Sequence, residues 1–409
     1  MRRQWTSPLE SPALGSRLEH LIRPCGDDLR PHDPGRVAER PTFALSFSGG
    51  GFRATLAALG MARFFADAGR LGDVRFLSSV SGGSIANGMI ACAWADLRAQ
   101  GFSSKTLDAL VIDPVIDSIT GSSLKVTLLS RLWRALGPRT RTDLLAEAFD
   151  ERFFHGRKLE SLDDQARFIV NAANLTTGVR FAFERDVMGD YVLGLAPTKG
   201  TGMRVATAVA ASAAVPGAFA PVRLPRIAFP CGRIGAPVLL DGGAYDNTGL
   251  EALDGHRYRD VFVAAINVGG VFVTGRWKGI PVIRDLVRAN SMLYRQSTGL
   301  RTRWLVDRFQ AAELAAKNNL DPPAWGRHGV LMGLGTTVKG EAVDAWRAKH
   351  PEHRTWQNED MAFVPTVFDR LDPQLCRLLI YRGWWLTGAT FARYHAGLVD
   401  LPETAPPLE

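Results

Sequence analysis

Cysteine is scarce in this sequence. Its four cysteines, Cys25, Cys92, Cys231 and Cys376, stand far apart and form no CxxC pair. Zinc sites and disulfide-rich scaffolds need cysteines in closely spaced groups, so we expect neither of them here. The same scarcity favours a reducing compartment.

The sequence also lacks a strongly hydrophobic run. Its longest apolar stretch, residues 205–222, is rich in alanine and is interrupted by Ser212 and Pro216. A bilayer span needs roughly 20 strongly apolar residues. The basic N-terminus is followed by prolines and glutamates instead of the apolar core of a secretory signal. We therefore expect a cytoplasmic protein that contacts membranes peripherally at most.

The remaining composition is that of a globular protein. The 409 residues are 46% hydrophobic and 22% charged, which excludes a disordered or fibrous chain. The 49 basic residues exceed the 41 acidic ones, which gives a formal charge of +8. Arginine is spread along the chain and forms no basic tail, so we expect no nucleic-acid partner. An anionic membrane surface would suit this charge.

Two strand–turn–helix units follow each other early in the chain. Residues 42–47 and 74–80 are short apolar runs, and each ends in a glycine-containing turn that leads into a helical pattern. Successive units of this kind predict a parallel sheet with right-handed crossovers. Further elements are predicted as strands at 167–173 and 260–268, a helical insertion at about 101–165, and a long basic helix at 282–318.

The first turn, Ser48-Gly49-Gly50-Gly51-Phe52-Arg53, is suited to binding an anion. Three glycines permit positive φ angles, and the following helix begins with unpaired N–H groups. The anion is either a phosphate or a transient oxyanion. A P-loop would need Gly-Lys-Ser/Thr, and a dinucleotide fingerprint would need glycine in place of Ala54. A tight turn without a ligand is the alternative.

The second turn, Ser79-Val80-Ser81-Gly82-Gly83, has the spacing of a nucleophile elbow. Such a turn exposes the serine hydroxyl, and small neighbours let the strand and the helix approach each other. Consecutive turns of a parallel sheet lie side by side at its carboxyl edge. One turn can therefore supply the nucleophile and the other the N–H donors, which is the arrangement that acyl transfer requires.

A serine nucleophile needs a general base, and the sequence offers two candidates. Asp241 follows an apolar run and precedes two glycines, so it should sit at a sheet edge, where partial burial would raise its pKa. His256 follows Asp241 in the Ser…Asp…His order of α/β-hydrolases, but its neighbours indicate a solvated loop. We therefore prefer Asp241 as the base.

These three motifs, in this order, resemble those of the patatin-like phospholipase family. Residues 48–53 are similar to its glycine-rich oxyanion motif, and most closely to that of the cytosolic phospholipase A2 branch. Residues 79–83 are similar to its nucleophile motif, and residues 241–243 to its aspartate motif. The resemblance covers residues 42–270, and residues 363–392 resemble bacterial members more loosely.

The resemblance implies a three-layer α/β/α fold with a mostly parallel sheet. It also implies a serine acyl hydrolase that cleaves phospholipid, lysophospholipid or related lipid esters without a metal or cofactor. Ser81 would be the nucleophile and Asp241 the base of a catalytic dyad. Gly49-Gly50-Gly51 would form the oxyanion hole, with the N–H groups of Gly50 and Gly51 as donors.

Arg53 matches an arginine that contacts the substrate phosphate in the cytosolic branch, and guanidinium groups pair well with phosphate. A surface or structural arginine is the alternative. Two departures from the family pattern, Ala54 and Ser79, replace glycines with other small residues. Both residues are small, so we expect the catalytic geometry to be preserved and the departures to affect substrate preference.

The predicted organisation has three parts. Residues 1–40 form a loosely structured lead-in, residues 41–275 the catalytic domain with its insertion, and residues 276–409 a helical part packed on that domain. Basic stretches at 124–141 and 276–308 are candidates for contact with an anionic membrane, and each has an ordinary packing or solvated helix as its alternative. Two other functions stay open, namely a Ser–His–Asp esterase of small soluble esters and a non-catalytic module that binds anions or lipids.

Overall fold

The strands of the central sheet carry apolar side chains on both faces. In the first strand, Phe43, Leu45 and Phe47 point into one hydrophobic core, and Ala44 points into another. Alternate side chains of a strand face opposite sides of its sheet, so this strand is covered on both sides. The computed structural model describes residues 25–26, 29–131, 139–224, 227–232, 236–270 and 281–408.

Twelve strands lie in the described part of the chain. They are β1 (Phe43–Phe47), β2 (Val74–Val80), β3 (Arg167–Asn174), β4 (Val179–Phe183), β5 (Val187–Asp190), β6 (Gly194–Pro197), β7 (Val222–Arg223), β8 (Val238–Asp241), β9 (Phe262–Asn267), β10 (Gly329–Gly333), β11 (Thr355–Trp356) and β12 (Glu359–Asp360). The four strands predicted from the sequence correspond to β1, β2, β3 and β9, so these predictions are confirmed.

The central sheet has the strand order β10-β9-β1-β2-β3-β4-β5-β6. The strands from β10 to β3 run parallel, and Phe47 of β1 is aligned with Ser79 of β2. Beyond β3 the pairing is antiparallel, and β8 also pairs antiparallel with β3. The predicted mostly parallel α/β sheet is confirmed, and the sequence did not reveal the antiparallel extension of β4 to β6.

Eleven α-helices lie in the same part of the chain. They are α1 (Gly51–Asp67), α2 (Gly82–Ala99), α3 (Ser104–Leu107), α4 (Asp113–Gly121), α5 (Leu124–Ser130), α6 (Arg141–Phe149), α7 (Val205–Ser212), α8 (Gly243–Asp246), α9 (Pro281–Lys317), α10 (Glu341–Lys349) and α11 (Pro373–Tyr394). Helices α1, α2 and α11 pack into the larger core, and Leu305 of α9 packs into the core on the opposite face. These layers build the three-layer arrangement.

The C-terminal part of the chain is joined closely to the sheet. Helix α11 packs along α1, and Trp384 and Trp385 of α11 are fully buried. Strand β10 extends the sheet through parallel pairing with β9. This part therefore contributes a strand as well as helices, and the domain boundaries at 40 and 275 stay a prediction. Of the predicted insertion, residues 132–138 lie outside the described residues.

Cys25 and Cys231 form a disulfide bond, with their Cα atoms 5.9 Å apart. Backbone hydrogen bonds hold both ends, from Cys25 N–H to Tyr191 O (2.6 Å) and from Cys231 N–H to Leu193 O (2.9 Å). One such bond does not make a disulfide-rich scaffold, but it argues against the reducing compartment that the scarcity of cysteine favours, because disulfides persist in oxidising environments. The pairing could not be predicted from the sequence, since the two cysteines are separated by 206 positions.

Within the described ranges, no helix is both long enough and apolar enough to span a bilayer.

Candidate active site

Ser81 occupies a sharp turn between β2 and α2. Its backbone angles, φ 52° and ψ −123°, lie outside the regions that non-glycine residues normally adopt. Strain of this kind is characteristic of a nucleophile elbow, in which the turn lifts the serine out of the sheet. The side chain is 5% exposed and lines a cavity. The predicted elbow geometry is therefore present at this serine.

The serine turn and the glycine turn are in backbone contact, and this explains two glycines of the motif. A Cβ atom on Gly82 would lie 2.0 Å from the carbonyl oxygen of Gly51, and one on Gly83 would lie 2.6 Å from that of Phe47. Neither position has room for a side chain. The two turns that the sequence predicted to be neighbours are thus as close as their backbones allow.

Ser212, at the end of α7, holds the backbone of the nucleophile in place. The Ser81 N–H donates to Ser212 Oγ (2.9 Å), and Ser212 Oγ in turn donates to the carbonyl oxygen of Asn171 on β3 (2.6 Å). Ser212 Oγ also lies 3.0 Å from Ser84 Oγ. All of these groups are buried, so the bonds fix the strained turn without competition from water.

Asp241 is the last residue of β8 and lies beside the nucleophile. Its strand pairs with β3, where Asp241 is aligned with Ala172, and Gly243 N–H donates to its Oδ1 (2.7 Å). Burial raises the pKa of Asp241 to about 6, while hydrogen bonds from Gly243 N–H and the Ser81 side chain act in the opposite direction. The structure therefore brings the two residues of the predicted dyad together, with a carboxyl that ionises near neutral pH.

The glycine turn presents backbone N–H groups beside Ser81. Gly51 has φ +60°, and a Cβ there would lie 2.4 Å from the carbonyl oxygen of Val367. Gly49 N–H already donates to Asn247 O (3.0 Å), whereas the N–H groups of Gly50 and Gly51 have no hydrogen-bond acceptor among the described residues. Of the three glycines in the predicted oxyanion hole, Gly50 and Gly51 are thus the two whose N–H groups lack an acceptor in the described structure, and the assignment of the hole stays a prediction.

Arg53 does not reach toward a substrate. It is 2% exposed, and its Nη1 donates to Ala362 O (2.6 Å) and Val364 O (2.5 Å). Its Nη2 donates to Val268 O (2.8 Å) and Thr366 Oγ1 (3.2 Å). Burial lowers its pKa to about 10.

The four terminal N–H groups of Arg53 are all engaged, and its Nε is buried without a partner among the described residues. The prediction of a phosphate contact is corrected, because Arg53 ties residues 362–366 to the glycine turn.

Histidine is absent from the described lining of the cavity around Ser81. The backbone of His256 belongs to a 3-10 turn, His256–Tyr258, that precedes β9, and its side chain lies outside the described part of the structure. Phe262 of β9 pairs with Phe43, the first residue of β1, whereas Ser81 follows the end of β2. His256 and Ser81 thus lie toward opposite ends of these parallel strands, which are roughly 17 Å long. His20 also lies outside the described residues.

The cavity at this site has a volume of about 710 Å³. Its lining contains Ser81, Asp241 and Gly50 together with several residues of α9. Val215 and Pro216 add apolar surface. The volume is in the range of cavities that enclose small organic ligands, so an ester group and part of an acyl chain fit beside the dyad.

Two residues of the cavity lining were given no role in the predictions from the sequence. Asn247 is buried, and its Nδ2 has no hydrogen-bond partner in the described part of the chain. Tyr294 of α9 has its pKa raised, mainly by burial and further by the neighbouring Asp241 carboxylate. The sequence offered a weak signal for Asn247, which follows the aspartate motif, and none for Tyr294, which lies 53 positions beyond Asp241.

Comparison with known proteins identifies the class to which this fold and site belong. The model of the Patatin family, described as patatin-like phospholipase, matches residues 45–254. This match spans more than half of the chain, and the protein therefore belongs to the patatin-like phospholipase family. Membership supports lipid acyl hydrolysis as the general activity. No curated protein matches this chain.

Solved structures include two similar proteins. Human GIVD cytosolic phospholipase A2 aligns with a TM-score of 0.40 and 15% identity over 55% of this chain and 42% of the human chain. VipD from Legionella pneumophila aligns with a TM-score of 0.34 and 14% identity over 91% of this chain and 72% of VipD. The present chain thus corresponds to less than half of the human protein.

Proposed function

We propose that the protein is a serine acyl hydrolase that cleaves phospholipid, lysophospholipid or related lipid esters with a Ser81–Asp241 dyad. One observation carries the proposal. Ser81 sits in a strained elbow, its hydroxyl interacts with a buried carboxyl whose pKa is about 6, and both line a cavity of about 710 Å³. A serine next to a base in a cleft is the arrangement needed for nucleophilic catalysis.

In the first half of the reaction, Ser81 Oγ attacks the ester carbonyl carbon and Asp241 accepts the hydroxyl proton. The N–H groups of Gly50 and Gly51 donate to the oxyanion of the tetrahedral intermediate. When that intermediate collapses, the bond to the leaving alcohol breaks, and Asp241 returns the proton to the alkoxide. The acyl group remains on Ser81.

In the second half, water attacks the acyl carbonyl and Asp241 accepts a proton from it. Collapse of the second intermediate breaks the bond to Ser81, which recovers its proton from Asp241. The acid is then released. The same carboxyl therefore acts as base and acid in each half.

Labelling with a fluorophosphonate probe tests this proposal, because such probes react with activated serines. We expect one equivalent of probe to be incorporated, peptide mass spectrometry to find it on Ser81, and Ser81→Ala to abolish labelling. A chain that is folded but unlabelled would contradict the proposal and favour the non-catalytic binding module. Labelling that depended on His256 would favour the alternative Ser–His–Asp esterase.

We also propose peripheral contact with anionic membranes through α9. Its side chains Met292, Leu293 and Leu300 are exposed, and arginines share the helix, a combination typical of interfacial helices. Helix α5 has two exposed apolar residues, Val126 and Leu129, but the stretch after it lies outside the described residues.

We expect the protein to bind phosphatidylglycerol vesicles and to bind them less as salt rises, because salt screens exposed charges. Vesicle sedimentation measures this. The double variant Leu293→Ser/Leu300→Ser should bind several-fold more weakly. Leu320→Ser, which changes a leucine outside both helices that is as exposed as Leu293 at 65%, should not. Binding that is absent, or unaffected by salt and by the double variant, would contradict the proposal.

A further inference from the structure

Residues 364–368, a segment in the C-terminal part of the chain, lie against the glycine turn. The segment follows a 3-10 turn, Met361–Phe363, and contains neither helix nor strand. Thr366 of this segment lines the cavity together with Gly50. Because the family model matches residues 45–254, the match assigns no role to the segment.

Val367 pairs with the N–H group that follows the three glycines. Phe52 N–H donates to Val367 O (3.0 Å), and on the other side Gly49 N–H donates to Asn247 O (3.0 Å). The first N–H groups of a helix have no partner within the helix and attract anions. These two bonds occupy the donors on either side of the last two glycines, so an oxyanion is directed to the N–H groups of those two.

The peptide group of Val367 lies directly against Gly51. A Cβ atom on this glycine would lie 2.4 Å from Val367 O and 2.8 Å from Val367 N. Gly51 also has φ +60°, a conformation that glycine adopts without strain. No side chain separates the two backbones, so a shift of the segment would move the turn or leave a gap beside it.

Arg53 fixes the segment to the start of α1. Its four acceptors are Ala362 O, Val364 O and Thr366 Oγ1 in or next to the segment, and Val268 O. Val268 O would lie 2.6 Å from a Cβ atom on Gly50. One side chain thus bonds both stretches of chain that contact the last two glycines. A guanidinium group holds its donors in a fixed plane, so these acceptors are fixed relative to one another.

Phe368 holds the end of the segment through its ring. The centroid of this ring lies 5.4 Å from that of Phe52 and 5.7 Å from that of Phe149, and both pairs meet edge to face. Phe52 is therefore held by the segment twice, through its N–H group and through its ring. Phe363, just before the segment, is 56% exposed.

We propose that residues 364–368 position the oxyanion hole by holding the first turn of α1 in place. This inference rests on the proposed acyl hydrolase and gives the C-terminal part of the chain a role in that reaction. The segment acts through the N–H groups of Gly50 and Gly51, so its members are positioning residues. Those N–H groups stabilise charge that develops in the transition state, so a misplaced turn should slow the chemical step more than it weakens substrate binding.

Phe368→Ala removes the ring that holds Phe52 and leaves every residue of the cavity lining unchanged. We expect kcat for a soluble chromogenic ester to fall by about 10- to 100-fold, since a displacement of about 1 Å has an effect of this size. KM should stay within about threefold of the wild-type value. Phe363→Ala makes the same change at an exposed position and should keep the wild-type kcat.

Amide hydrogen exchange tests the positioning without catalysis. Phe52 N–H is bonded to Val367 O, so its exchange reports whether the segment holds the turn. Mass spectrometry of overlapping peptides that cover residues 48–56 measures this exchange. We expect it to be about tenfold faster in Phe368→Ala and unchanged in Phe363→Ala.

A second pair of variants, both on α1, covers the case in which Phe368→Ala does not fold. Arg53→Gln removes the bonds to the segment, and Arg63→Gln changes another buried arginine about 15 Å further along the helix. Arg63 pairs with Asp67 and Asp108. Both changes should lower the melting temperature, but only Arg53→Gln should lower kcat and speed the exchange of Phe52 N–H.

Wild-type kcat or unchanged exchange in folded Phe368→Ala would overturn the inference. An equal loss of kcat in either control variant would also overturn it, because the loss would then reflect general destabilisation. If the wild-type protein hydrolysed no ester, the proposed function would be contradicted, and the exchange experiment would still decide whether the segment positions the turn.

Discussion

Replacing Ser81 with alanine should lower kcat for ester hydrolysis by about 10⁴-fold or more while the protein remains folded. The substitution removes the atom that forms the acyl-enzyme, and no neighbouring hydroxyl can replace it. Ser84 Oγ and Ser212 Oγ form a hydrogen bond with each other (3.0 Å), and Ser212 Oγ also donates to the carbonyl oxygen of Asn171. Initial rates on a chromogenic ester, together with the melting temperature, measure the two parts of the prediction.

Ser118→Ala is the matched control for this experiment. The hydroxyl of Ser118 is buried and has no hydrogen-bond partner in the described structure, so its removal deletes the same atom without breaking a bond. This variant should keep wild-type activity. Residual activity of Ser81→Ala within tenfold of the wild type would rule out Ser81 as the nucleophile.

The parts of the site that the sequence predicted are those fixed by local chain geometry. Each of the three motifs is a strand end followed by glycines. Gly82 and Gly83 lie so close to the neighbouring turn that only glycine fits there, and the sequence shows glycine at both positions. The same reasoning located β1, β2, β3 and β9, because their apolar patterns are strong, and the long helix α9 was predicted as a helix with a basic face.

Contacts between distant segments could not be predicted in this way. The four acceptors of Arg53 lie more than 200 positions away along the chain, at Val268 and in residues 362–366. The role of Arg53 therefore depends on where the C-terminal part folds back, and the residues next to Arg53 in the sequence do not indicate that position. The Cys25–Cys231 bond and the position of Tyr294 escaped prediction for the same reason.

Changing Asp241 to asparagine should lower kcat/KM by about 10²- to 10⁴-fold, the usual contribution of a general base. Asparagine has nearly the same shape and can still accept the hydrogen bond from Gly243 N–H, but it cannot take the proton of Ser81. In the wild type, kcat/KM should rise as pH increases through about 6, because Asp241 accepts a proton only when it is ionised. The variant should lack this rise, and a pH profile of both proteins measures the difference.

The same substitution should stabilise the fold above pH 6, since burial holds the pKa of Asp241 at about 6 against an ordinary value of 3.8. The folded protein therefore binds this proton more tightly than the unfolded chain does. The stabilisation that comes from binding this proton is fully present below about pH 4 and is lost as pH rises through about 6. The free energy of unfolding falls by roughly 3 kcal/mol over this range.

Asparagine carries no charge to desolvate, so the free energy of unfolding of Asp241→Asn should exceed that of the wild type by up to about 3 kcal/mol at pH 8 and by little below pH 4. Urea unfolding at both pH values measures this. Asp96→Asn, which changes an exposed carboxylate on α2, should show no such difference. If the Asp241 variant were the less stable protein at pH 8, the carboxylate would be stabilising the fold, and the raised pKa on which the base depends would be wrong. A more stable and inactive variant would instead mean that the protein sacrifices stability to keep an ionisable carboxyl beside Ser81.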